Sequence, residues 1–191
     1  MDIKNSVLLG NLMSKSGGGV EFKTSIYSQG NAYIEFNKDK HIDRFYTCDI
    51  CFIVKSISTY GILRFGRYYD DYGIGSMRVV GETSGSFRTY LTTNATGTET
   101  SVGDVVYDID NIFNNVNIYN SSSNWEFPII RLFYSGMTEN FLLKYITFYG
   151  ENNTKVAELK PVIVNGESGI YDTVTETFYG NANSVGSLVC E

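Results

Sequence analysis

Apolar residues in this chain alternate with polar ones far more often than they recur at helical spacing, from about residue 31 onward. Along residues 31–36, Ala32, Ile34 and Phe36 fall on one side, with Tyr33 and Glu35 on the other. Residues 45–57 carry the best such run. There Tyr46, Cys48, Ile50, Phe52 and Val54 form an apolar face opposed by Thr47, Asp49 and Lys55. A turn at Ser58 and Thr59 leads into residues 60–68, and the two runs together predict a hairpin. Further strands are predicted over residues 73–80, 87–91, 105–109, 116–119, 129–134, 141–149 and 155–164. Within 141–149, Leu143, Tyr145 and Thr147 oppose Leu142, Lys144, Ile146 and Phe148. Part of the polar stretch 84–101 reads as exposed loop, and 108–115 as an Asp/Asn-rich connection. Asn165-Gly166 is a strong hairpin signal, because Gly accepts positive φ and Asn tolerates it. Many short strands with frequent turns predict an all-β fold, an antiparallel β-sandwich of two packed sheets.

Composition agrees with the pattern. The chain has 191 residues, with 15 Tyr, 12 Phe and only two Pro, and aromatic residues favour pleated, half-buried surfaces. That length fits one domain, assigned to residues 20–191 and preceded by an arm and a Gly-rich joint over residues 1–19. The joint is Gly17, Gly18 and Gly19. Val7, Leu8, Leu9, Leu12 and Met13 make the arm an assembly element, or else the first strand of the sandwich. The net charge of −6 disfavours a broad phosphate-binding surface, and Arg64 and Arg67 are followed by Asp70 and Asp71, so no nucleic-acid partner is expected. The apolar group Val7–Leu9 is too short for a signal peptide core or a membrane span, which implies a cytoplasmic product without a membrane partner.

Metal and catalytic chemistry find little support. Cys48, Cys51 and Cys190 cannot form a complete set of internal disulfides. Cys48 and Cys51 point to opposite faces of a strand, and His41 is the one histidine, so no zinc site is expected. Asp108, Asp110 and Asn111 alternate like calcium ligands in a loop, a pattern that more often marks a simple turn, and neither metal nor cofactor is predicted. A retaining glycosidase needs two carboxylates about 5 Å apart. Asp108 with Asp110, and Asp70 beside Asp71, lack a matching Glu, and no elbow pattern accompanies His41. The chain is therefore expected not to be an enzyme. Candidate ligand-binding residues are Tyr68, Tyr69, Asp70, Asp71 and Tyr72, and also Asn124 with Trp125. Tyr and Trp supply rigid area with a polar edge, suited equally to sugars and to protein partners.

The closing third carries Glu158-Leu159-Lys160-Pro161-Val162, then Gly169-Ile170-Tyr171-Asp172, then Phe178-Tyr179-Gly180-Asn181. This passage resembles the end of concanavalin A-like, laminin G-like jelly-roll domains found in virion proteins of gut bacteriophages (crAss-like phages) and in gut bacterial surface proteins. Residues 32–34 and 61–66 fit the earlier part of that pattern. The resemblance implies a concanavalin A-like jelly roll in a virion structural protein: a head-fibre, capsid-decoration or tail-associated subunit, assembled in the host cytoplasm. It implies other virion proteins as partners, homo-oligomerisation and host attachment. The alternative it implies is a carbohydrate-binding, lectin-like module for bacterial surface glycans. Physical chemistry assigns the same residues a structural role. Pro161 suits a strand edge or start, Tyr171 can bury its ring, and Asp172 can accept N–H groups of the next turn.

Overall fold

Alternating strands must each hide one face, and here two antiparallel sheets hide theirs against each other. The structure is a computed structural model that describes residues 19–37, 42, 45–56, 60–66, 75–81, 87–92, 99–118, 129–135 and 140–191. Its strands are β1 (Val20–Phe22), β2 (Ile26–Gln29), β3 (Ile34–Phe36), β4 (Thr47–Val54), β5 (Tyr60–Gly66), β6 (Gly75–Gly81), β7 (Phe87–Thr92) and β8 (Glu99–Val105). They continue with β9 (Asn111–Asn117), β10 (Ile129–Ser135), β11 (Phe141–Tyr149), β12 (Lys155–Val164), β13 (Glu167–Asp172), β14 (Thr177–Tyr179) and β15 (Ser187–Cys190). One sheet has six strands in the order β3-β10-β5-β6-β7-β8. The other has nine, with β14-β13-β12-β11-β2-β15 as its main path, β4 and then β9 beside β11, and β1 on β12.

The core lies between the sheets. Phe36 of β3 stacks on Phe148 of β11 with centroids 5.6 Å apart, and Phe45 lies 4.9 Å from Phe148. Phe52 stacks on Phe141 at 5.0 Å. Cys48, Ile50, Phe52 and Val54 face this core, as their alternation predicts, whereas Tyr46, expected on the same face, lies outside that cluster, as does Cys51 although it too is buried. The two cysteines therefore do face apart, and burial raises the thiol pKa of both.

Several sequence expectations are corrected. β4 and β5 are not a hairpin: β4 pairs with β11 and β9, whereas β5 pairs with β10 and β6 in the other sheet. Local alternation does not say which strand is a neighbour. The strand expected over 105–109 is instead β8, ending at Val105. Beyond it, Asn111 folds the chain back: its Oδ1 accepts the Val106 N–H at 2.8 Å, and its Nδ2 donates to the carbonyls of Val106 and Ile109. Residues 111–115, expected within the Asp/Asn-rich connection, join residues 116 and 117 of the strand expected over 116–119 to form β9, held by pairing with β4. β1 and β2 were not predicted at all.

Two corrections concern facing. In β11 the register slips between Leu143 and Tyr145, so the core face passes from Phe141 and Leu143 to Ile146 and Phe148. Leu143 was expected opposite those two residues. Pro161 lies inside the longest strand, not at an end. Its carbonyl accepts the Lys23 N–H at 3.0 Å, so its nitrogen faces the same side, at the step where β12 leaves β11 and meets β1. A missing donor is tolerated there because no ladder bond is lost.

The closing passage forms the expected clasp. Asn165 and Gly166 take φ of 53° and 84° between β12 and β13. Buried Asp172 accepts N–H groups from Glu158 and Val174 and the Thr175 hydroxyl. Beside it, burial pushes the Glu158 carboxyl up, but hydrogen bonds from Thr173, Lys155 and Lys160 overcome this and hold its pKa down to about 2. A depressed carboxyl stabilises the fold above its unfolded pKa and loses that contribution as pH falls through its folded value. Wild type is therefore expected to lose about 1 kcal/mol more than Glu158→Gln between roughly pH 4.5 and 2, after discounting for solvent screening. Parallel urea titrations across that window check it, and equal losses would refute it.

Candidate functional site

Where β4 begins and β11 ends, the ladder continues one residue beyond the strands. The Tyr46 N–H donates to the Tyr149 carbonyl at 2.9 Å, and the Ile118 N–H donates to the Tyr46 carbonyl at 3.0 Å. After Tyr149 the chain turns tightly through Gly150 and a single 3-10 turn, Glu151–Asn153. Asn152 and Asn153 adopt φ of 56° and 59°, a conformation that Asn tolerates better than most residues. Gly150 N–H donates to the Thr154 carbonyl and closes the turn.

On the other flank, the β4–β9 register slips between Cys48 and Ile50, and Asn115 takes φ of 54° there. Such a bulge re-aims side chains at a strand end. Asp49 joins the two flanks. Its Oδ1 accepts the Asn115 N–H at 2.7 Å, and its Oδ2 accepts the Tyr149 hydroxyl at 2.7 Å. The bond to Asp49, more than burial, pushes the Tyr149 phenol up to about 12. Tyr149 therefore stays protonated and donating throughout the ordinary pH range.

These elements enclose an open hollow of about 650 Å³, lined by Tyr46, Thr47, Asp49, Asn114, Asn115, Tyr149, Gly150, Glu151, Asn152 and Asn153. Its size falls in the range of small-ligand sites. Its lining is two tyrosines, two carboxylates and four carboxamides, which can pair with vicinal hydroxyls while a ring covers an apolar face. Both Asp49 oxygens already accept hydrogen bonds, so this carboxylate acts as a strut between β9 and β11.

The residues expected to bind ligand, Tyr68, Tyr69, Asp70, Asp71, Tyr72, Asn124 and Trp125, lie outside the described residues. So do His41 and the arm residues Val7, Leu8, Leu9, Leu12 and Met13. Of the calcium-like trio, Asn111 is buried and bonded to backbone, and Asp110 pairs with Lys144 at 2.8 Å. Among the described residues, no group of three or more His, Cys, Asp or Glu could hold a metal ion. The hollow itself was missed. One signal was present, since residues 151–153 read as a turn, but its approach to Tyr46 and Asp49 spans about a hundred residues of sequence. No protein-family model, curated protein or solved structure matches this chain.

Proposed function

We propose that this chain is a non-enzymatic recognition domain that binds a carbohydrate in the hollow between Tyr46, Asp49, Tyr149 and the Glu151–Asn153 turn. The observation that carries this reading is the lining itself: tyrosines beside carboxamides and carboxylates, held in place before any ligand arrives by the two bonds to Asp49. Preorganised polar groups lose less on binding than mobile ones. The partner class is a bacterial surface glycan, and the setting is a phage particle, where the chain serves as a head-fibre, decoration or tail subunit. That setting, and the finer description of the sandwich as a concanavalin A-like jelly roll, are supported by the resemblance of residues 158–181.

A glycan array with bacterial surface polysaccharides tests the reading. Saturable binding is expected, weakened about tenfold or more by Tyr149→Ala or Tyr46→Ala, in keeping with loss of a stacked aromatic contact. Asp49→Asn is expected to weaken binding less, because one acceptor oxygen is kept. An array on which wild type binds nothing, or on which these variants bind like wild type, rejects the site. Cross-linking of intact particles tests the setting separately, and a chain absent from particles rejects it.

A further inference from the structure

A phenol has one proton to donate, and Tyr149 donates its proton to Asp49 Oδ2 at 2.7 Å. Toward any further partner the Tyr149 oxygen can only accept. Asp49, as a carboxylate, also only accepts. Its bonds from the Asn115 N–H and the Tyr149 hydroxyl leave lone pairs on both oxygens. The Asp49–Tyr149 pair is therefore an acceptor-only element in the wall of the hollow. A ligand group that meets it must bring hydrogens.

Charge narrows the choice further. The two groups bonded to Asp49 are a backbone N–H and a phenol, both neutral, so neither balances its charge. Glu151, the other carboxylate of the lining, stands exposed on the 3-10 turn and makes no ion pair among the described residues. No described residue of the lining is basic. By register, Lys155 lies opposite Tyr149, but its Nζ is 3.0 Å from Glu158 Oε1, and Lys160 Nζ is 3.2 Å from the other oxygen of that carboxylate. Asp110 is matched in the same way by Lys144 at 2.8 Å. The carboxylates of the hollow thus lack the lysine partners that Glu158 and Asp110 have. A concave site lined by charge of one sign concentrates the opposite ion, and the faces of tyrosine rings attract cations as well.

We propose that the sugar bound in this hollow carries a free, protonated amine, which docks on the Asp49–Tyr149 pair. This inference rests on the carbohydrate reading of the hollow and names the class of sugar: an amino sugar whose nitrogen is not acylated. An ammonium offers three donors and a positive charge, which answers both the acceptor-only pair and the unbalanced carboxylates. An N-acetylated nitrogen offers one N–H and no charge. The carboxylate of a uronic acid only accepts, and the charge of Asp49 and Glu151 repels it. A bare metal ion fits less well, since among the described residues no group of three or more His, Cys, Asp or Glu could hold one. The carboxamides of Asn114, Asn115, Asn152 and Asn153 both donate and accept, which suits them to the ring hydroxyls.

The test is a set of binding titrations with chitosan oligomers, chitin oligomers of the same length, polygalacturonate oligomers and the simple diamine cadaverine. Chitosan oligomers are expected to bind about tenfold more tightly than chitin oligomers, the sum of a cation–π contact and partly exposed ion pairs. Raising the salt concentration is expected to shrink that preference on wild type, with no variant involved. Polygalacturonate is expected not to bind. Glu151→Gln, at a side chain that makes no hydrogen bond or ion pair among the described residues, is expected to cut the preference about threefold. Equal binding of the two oligomers, a preference that salt leaves untouched, or a full preference in Glu151→Gln would overturn the free amine and leave the carbohydrate reading in place. Cadaverine bound as tightly as a chitosan oligomer would overturn the sugar. Binding of neither oligomer would overturn the inference, and the glycan array with Tyr46→Ala and Tyr149→Ala then decides the wider reading separately.

Discussion

Replacing Asp172 by Ala is expected to lower stability by about 3–5 kcal/mol, the largest effect of any single polar substitution among the described residues. The carboxylate is fully buried and accepts from the Glu158 N–H at 2.9 Å, the Val174 N–H at 3.0 Å and the Thr175 hydroxyl at 2.6 Å. Removing it takes the acceptor from two backbone donors in part-buried bonds and leaves the Thr175 hydroxyl with only the Thr177 hydroxyl, 3.2 Å away. The same substitution loosens the turn after β13, where the Thr173 N–H donates to the Glu158 carbonyl. Asp172→Asn keeps the shape and one acceptor oxygen, so roughly half the loss is expected. Urea unfolding of both variants measures the difference, and an Ala variant within about 1 kcal/mol of wild type would show that the carboxylate is not the clasp described.

Phe148→Ala is the apolar counterpart, with an expected loss of about 3–5 kcal/mol. Its ring lies nearly parallel to Phe36, at an interplanar angle of 9°, and also touches Phe45, so it joins the two sheets directly. The cavity left by a phenyl ring cannot close without moving both sheets, because protein interiors are close-packed. Phe148→Leu is expected to recover more than half of the loss by refilling volume. Ile112→Ala is the contrast: that side chain is 53% exposed, and its replacement should fall within about 0.5 kcal/mol of wild type. Comparable losses at Phe148 and Ile112 in thermal unfolding would contradict this account of the core.

The parts of the fold that were legible in the sequence are those that short-range physics determines. Alternation in β4 placed Cys48, Ile50, Phe52 and Val54 on the core, and Asn165-Gly166 marked the β12–β13 turn. Asp172 was assigned its turn from its side chain alone. What escaped was pairing between distant segments, and with it the site. Nothing near Asp49 in the chain announces Tyr149, and nothing near Arg64 announces Arg131. Bulges were also hidden, because one extra residue in β11 reverses the facing of everything beyond it while the local hydrophobicity is unchanged. The strand that looked most like a connection, β9, is held by β4 and by the Asn111 side chain, both of which outweigh its poor intrinsic strand propensity.

The pairing of β2 with β15 sets an order of events during synthesis. β2 runs against β11 at one register and against the whole of β15 from Ser187 to Cys190, and the Glu191 backbone exchanges bonds with Thr24 and Ser25. An early segment of the chain thus waits for residues 187–191 to leave the ribosome before this edge is covered. Until then β2 is an open strand edge, available to any other nascent chain nearby. Slow release of residues 187–191 should therefore be the stage at which this protein most needs a chaperone.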